Sequence, residues 1–282
     1  MIGEFLDSWP LFHTTYLAGG AIAILLSLIG VWIVAREQIF LGAAIAQASA
    51  LGIAVLLWFA GLGVAASWPW FESRAAADVC AVVASVTTAL STAVPRRSGG
   101  ERGEARTAWI FLIAASLPML LLAHSPHGLE EVHRLMFSTL LGAVPAELWS
   151  FAGLALLSIA AAWRWHDRLR LLAMDPEMAA AVGMRTRLWT HAIALWLGIA
   201  IGLSIRVSGL IYTFGCLVLP TLVARNLCRE VWAMLIVAPL VAAASALIAF
   251  VVANHADIPP AHAAVTLLCA LVPLTWPLRS AS

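Results

Sequence analysis

Histidine and carboxylate side chains gather in two stretches of the chain. AHSPHGLEEVH, residues 123–133, carries His124, His127 and His133 beside Glu130 and Glu131; NHADIPPAH, residues 254–262, carries His255, Asp257 and His262. Imidazole with carboxylate suits Zn²⁺ or Mn²⁺, so His124, His127, His133, His255 and Asp257 are candidates for receiving a divalent ion. Their spacing fits no defined ligand motif, and a polar solvated loop is the plainer reading. The four cysteines (Cys80, Cys216, Cys228, Cys269) are scattered without a C-x-x-C pair, which supports neither a disulfide framework nor a thiolate metal site. GLSI, residues 202–205, has the G-x-S pattern of an intramembrane serine protease, with His262 further on. Such a short pattern arises easily in helices bearing glycine and serine, and a nucleophile needs an ordered base beside it. No GxxxxGK[ST] occurs, so the chain has no phosphate-cradling loop of its own.

The elements that must carry these residues are set by composition. Of 282 residues, 62% are hydrophobic and 11% charged, and the mean hydropathy is +0.95. Soluble domains run near 25% charged residues and cannot bury this much apolar surface in one core. An all-α integral membrane protein of about eight to nine spans follows. Apolar runs fall at about 15–34, 39–60, 76–95, 107–123, 147–164, 190–205, 209–224, 231–253 and 261–277. The N-terminus has acidic residues and no basic n-region, so the first run is expected to be retained as a span. The sixth and seventh runs are short and meet at SIRVSG, residues 204–209, so they are either two tilted helices or a hairpin that crosses incompletely.

All sixteen basic residues are arginine and the net charge is +1; no nucleic-acid partner is expected. With the N-terminus outside, thirteen arginines fall inside, leaving only Arg74, Arg134 and Arg206 outside. The positive-inside rule therefore favours N-terminus out and C-terminus cytoplasmic. Tryptophans at 68, 70, 149, 163, 165, 189, 232 and 276 lie near span ends, as an interfacial belt requires. Arg206 would be costly at the bilayer centre, ~2.5–3.5 kcal/mol on insertion scales. It is expected at the outer interface or in an aqueous vestibule, snorkelling or gating. Gln47 and Ser49, in the second span, could guide a cation or hold helices together as polar glue.

One cytoplasmic loop, about 165–189, contains LLAMDPEMAAAVGM, residues 171–184. Asp175 is a good N-cap, Pro176 suits the first helical position, Glu177 complements the dipole, and Gly183 can close the helix left-handed. About two turns are specified, too few to be stable alone. Met174, Met178 and Val182 form an outer stripe at i, i+4, i+8 spacing. From these residues the helix either lies on the bilayer or docks in a groove of a cytoplasmic partner.

MDPEMAAAVGMRTRLW (174–189) followed by GLIYTFGCLVLPTLVARNL (209–227) resembles the membrane subunits of bacterial zinc/manganese-type ABC importers. Residues 31–55, 134–148 and 257–268 agree in order, so the resemblance covers most of the chain. It implies a single permease domain over 1–282 in the bacterial inner membrane, and a homodimer or pair of permeases. It also implies a separate ATPase that uses ATP, an extracytoplasmic substrate-binding protein and a divalent metal as cargo, with no cofactor bound by this chain. The segment Asp175, Pro176, Glu177, Met178, Ala181, Val182, Gly183 would be the coupling helix that docks into the ATPase. The family's second span carries a glycine–aspartate pair and a histidine four residues later. Gly42, Ala43 and Gln47 stand at those positions, so a metal chelate or another cargo is the alternative. An ion-coupled secondary carrier is the other rival, but such carriers place ionisable groups at the midplane, where this sequence has no Asp or Glu.

Overall fold

The computed structural model describes residues 2–61, 70, 73–93, 100–123, 130, 140 and 143–280. Those residues form helices and no strand, as lipid demands of a backbone that must satisfy its own hydrogen bonds. In chain order the helices are α1 (Ile2–Ala35), α2 (Ile39–Phe59), α3 (Arg74–Ala93), α4 (Gly100–Leu122) and α5 (Pro145–Arg164). They continue as α6 (His166–Met174), α7 (Pro176–Ala181), α8 (Thr186–Leu227), α9 (Val231–Ala256) and α10 (Pro260–Ser280). All but α6 and α7 contain a stretch long and apolar enough to cross a membrane, giving eight candidate spans among the described residues.

The expected sixth and seventh spans are one assigned helix, α8, of 42 residues. At the usual rise it would extend about 63 Å, twice the ~30 Å hydrocarbon core. It is not straight: Gly209 has φ 74 and ψ 170, a region essentially restricted to glycine. The break falls in SIRVSG, where the sequence places a boundary, and divides α8 into two limbs.

The chain packs as two compact units. The first comprises residues 1–39, 139–184 and 211–282; the second comprises residues 40–138 and 185–210. In the first unit α1 runs against α9 in the opposite direction. Tyr16 near its middle donates to Asn254 Oδ1 (3.3 Å) and stacks on Phe250. Towards its other end Leu28, Val31 and Val34 share a core with Met234, Leu235 and Ala238. The second limb of α8 runs parallel to α1: Tyr212 donates to the Gly19 carbonyl (2.9 Å) and Thr221 to the Ser27 carbonyl (3.3 Å). A Cβ on Gly30 would sit 1.8 Å from the Leu217 carbonyl oxygen, so this pair of helices needs a residue without a side chain.

In the second unit the first limb of α8 runs antiparallel to α3. Gly198 and Gly202, four residues apart, bring it so close that a Cβ on either would lie 2.7 Å from an α3 Cα atom, of Val86 and Val82 respectively. This is the small-xxx-small device of membrane helices. Ser85 reinforces it by donating to the Gly198 carbonyl (2.6 Å).

Candidate functional site

The capped segment expected in the 165–189 loop is present, and it does not stand alone. Residues 166–174, read from the sequence as loop, form α6. Its Leu169, Leu172 and Ala173 are buried, at the i, i+3, i+4 spacing of one helical stripe, and it packs on α1, α5 and α9. The run HDRLRLLAM is short, charged and lacks a side-chain cap at its start, so only this packing makes it helical. α6 is the anchor that a two-turn helix requires.

Asp175 links the two helices. Its amide donates to the Leu171 carbonyl (2.9 Å), ending α6. Its Oδ1 accepts from the amides of Glu177 (3.1 Å) and Met178 (2.8 Å), starting α7 with Pro176 at the first position. At the far end Met184 N–H reaches the Ala179 carbonyl and Gly183 N–H the Ala180 carbonyl, both at 3.0 Å. That is a Schellman closure, and Gly183 supplies the left-handed residue at φ 83.

The helix shows a divided surface. Ala179 is fully buried, whereas Met178 is 53% exposed and Val182, at the C-cap, 68%; Met174, 70% exposed, ends α6, and the non-helical Asp175 (φ −145, ψ 88) breaks the single i, i+4, i+8 stripe expected from the sequence. Glu177 and Ala181 are exposed too. Exposed apolar side chains at both ends of a capped helix, held by its other face, are what a partner's groove would take up. The α6–α7 pair lies at the end of the first unit where α1 and α5 finish and α9 begins. Arg36, Arg164, Arg168, Arg170 and Arg225 belong to the same end, with Arg225 paired to Glu37 (3.3 Å). Burial lowers the Arg36 pKa from its usual value.

The other predicted positions are dispersed. Ala43 and Gln47 are half-buried in α2, while Ser49 is fully buried and its Oγ has no hydrogen-bond partner among the described residues. Arg206 is not a lone snorkelling cation. Its Nε and Nη2 both donate to the Asp78 carboxylate, the latter at 3.2 Å, and the two side chains are only 19% and 26% exposed. Asp78 sits in the second turn of α3, 128 residues away in sequence, and sequence reading did not join them. His255 and Asp257 lie where α9 ends, with Asp257 in a left-handed conformation (φ 53). No group of three or more His, Cys, Asp or Glu side chains able to hold a metal ion occurs among the described residues. His124, His127 and His133 lie outside the described residues.

Comparisons with known proteins match this arrangement over most of its length. A manganese transport system membrane protein, MntC, of Halalkalibacterium halodurans is 22% identical over 226 residues, covering 80% of this chain and 73% of the relative. A probable metal transport system membrane protein of Chlamydia pneumoniae is 24% identical over 220 residues, covering 77% and 72%. Among solved structures, PsaBC from Streptococcus pneumoniae in complex with Fab superposes with a TM-score of 0.79 at 16% identity, covering 99% of this chain and 98% of that one. A metal-chelate type ABC transporter in an inward-facing conformation gives a TM-score of 0.75 at 16% identity, covering 95% and 87%. At that identity the structures show a shared fold. The family model for the ABC 3 transport family runs from residue 8 to residue 276 and so takes in the α6–α7 connection and every candidate span but for the final residue of the last; the chain is a multi-pass membrane protein of that family.

Proposed function

We propose that the chain is the permease subunit of an ATP-binding-cassette importer for a divalent metal ion, zinc, manganese or iron, in the bacterial inner membrane. Two permease copies would form the pathway, an extracytoplasmic binding protein would deliver the ion, and a separate ATPase would hydrolyse ATP. The observation that carries this reading is α7: a capped helix with Met178 exposed on it and Met174 and Val182 exposed at its two ends, within a chain of a transport family whose curated relatives are named for metal transport.

The docking surface comprises Asp175, Pro176, Glu177, Met178, Ala181, Val182 and Gly183. One residue separates α5 from α6, one separates α6 from α7, and four separate α7 from α8. Such short connections pass a displacement of α7 to the spans rather than absorbing it in slack loop. With the N-terminus outside and the C-terminus inside, this segment faces the cytoplasm, where ATP is. The whole chain, 1–282, then acts as one permease domain. Replacing Met178 by Arg, alone and with Glu177→Arg, tests the docking. Binding of the co-expressed ATPase and coupled hydrolysis are expected to fall at least ~10-fold, as for a central interface anchor. Retained co-purification and coupling would sink the claim.

His124, His127, His133, His255 and Asp257 would receive the ion at the outer mouth. Replacing the three loop histidines together and measuring uptake decides that role; an unchanged metal dependence removes it. Gln47, Ser49 and Arg206 are assigned to the translocation path. The cargo has a second reading, because Ala43 offers no ligand and the Gln47 amide is a weak one for Zn²⁺. A metal chelate would need fewer protein ligands than a bare ion. Comparing uptake of free and chelated metal by the reconstituted transporter separates the two cargoes.

A further inference from the structure

A cavity of about 330 Å³ opens beside α6, at the arginine-rich end of the first unit. Its walls come from the last turns of α1 and α5, the first turns of α6 and the amino end of α9. Leu235 and the nearly buried Trp32 give it an apolar side. At its mouth stand Trp163, 74% exposed, and Trp232, whose ring lies 5.3 Å from that of His166. Indoles at the ends of spans mark the level of lipid headgroups.

The charges around the mouth are of both signs. Asp167 lies 3.2 Å from His166 Nε2 and 3.8 Å from Arg170 Nη2. Glu230 makes no side-chain capping bond to α9. A guanidinium has five donors in a fixed fork, and a contact at 3.8 Å is too long to occupy one as a hydrogen bond. Arg170 therefore keeps donors for an anion while Asp167 and Glu230 remain acceptors for a cation. An anionic ligand with no positive group would meet two carboxylates; a purely cationic one would meet Arg170. A ligand carrying a phosphate and an ammonium a few bonds apart matches both.

We propose that this cavity binds an aminophospholipid headgroup of the phosphoethanolamine type, with its phosphate on Arg170, its primary ammonium between Asp167 and Glu230, and its first methylenes against the tryptophans. A primary ammonium donates three hydrogen bonds, of which the Asp167 and Glu230 carboxylates can accept at least two; a trimethylated one donates none. The site is thus selective for phosphatidylethanolamine over phosphatidylcholine, and the carboxylates disfavour phosphatidylglycerol. The lipid would wedge α6, the anchor of α7, onto the bundle. The assignment rests on this end lying at a bilayer surface, not on docking of an ATPase or on the cargo.

The test uses the full-length chain in detergent, with lipids of matched acyl chains added singly. Native mass spectrometry counts retained lipid, and a thermal-shift titration gives apparent affinity. Phosphatidylethanolamine is expected to bind more tightly than either other lipid, on the order of fivefold. Asp167→Asn with Glu230→Gln should reduce its affinity to that of phosphatidylcholine, and Arg170→Gln should weaken all three phospholipids alike. Glu104→Gln, exposed in the second unit, controls for loss of a surface charge. Absence of headgroup preference overturns the proposal, as does a preference that survives the double variant. Soluble phosphoethanolamine competing as well as the lipid also overturns it, because the ligand would then be a free solute. None of these readouts needs ATP, metal or a partner, so a failure here leaves the transport reading untouched, and the reverse.

Discussion

Single side chains do three different jobs in this protein, and each can be probed separately. Asp175 satisfies two amides at the start of α7, and losing a carboxylate cap costs about 1 kcal/mol. On a two-turn helix that is enough to populate the unwound state. Asp175→Ala should speed hydrogen exchange at residues 177–182 and lower coupled ATPase activity, while Asp175→Asn, which can still cap, should preserve both. Ser49 is the opposite case, a buried hydroxyl without a partner among the described residues. Leaving such a group unsatisfied costs about 1–3 kcal/mol, so Ser49→Ala should raise the melting temperature. If uptake falls despite that gain, the hydroxyl belongs to the path. Arg206 and Asp78 depend on each other. Removing one partner of a buried pair costs about 3–5 kcal/mol, and somewhat less is expected where a fifth to a quarter of each side chain meets solvent. Arg206→Met and Asp78→Leu should each destabilise more than the two together, and a thermal double-mutant cycle measures the coupling.

Helices meet here through absent side chains as much as through present ones. Gly30 abuts the Leu217 carbonyl, whereas nothing lies within 4 Å of a Cβ on Gly20. Gly30→Ala must push the second limb of α8 away from α1 and should abolish recovery of monodisperse protein. Gly20→Ala should be neutral or stabilising by up to ~1 kcal/mol, since alanine is the better helix former. Size-exclusion profiles of the two variants check this directly. Such contrasts show what was legible beforehand. The spans could be read because apolar runs of 17 or more residues need no partner to be recognised. The α7 caps could be read because N- and C-cap chemistry is local, within nine residues from Asp175 to Gly183. α6 escaped because its helicity comes from burying Leu169 and Leu172 against α1 and α9, distant in sequence, as well as against neighbouring α5. The Arg206–Asp78 pair escaped for the same reason, since 128 residues separate its members.

At the scale of the whole chain the decisive quantity is direction, because the transport reading requires α7 and ATP on one side. The arginines bear on it, in the sequence and in the fold. Thirteen arginines fall on one side when the spans are counted from an outside N-terminus, and the first unit gathers Arg36, Arg164, Arg170 and Arg225 at the end that bears α6 and α7. His255 and Asp257, at the close of α9, lie away from that end, because α9 runs antiparallel to α1, from the α6 cavity at Glu230 past Leu28 to the level of Tyr16. By the positive-inside rule this distribution predicts an outside N-terminus, with α6 and α7 on the cytoplasmic side. The orientation is measured with two cysteines introduced one at a time, after the four native ones are replaced by alanine or serine. Asp257→Cys should react with a membrane-impermeant maleimide in intact cells. Glu177→Cys should react only after permeabilisation. A reversed pattern would put Met178 on the side without ATP, and the docking role of α7 could not survive it.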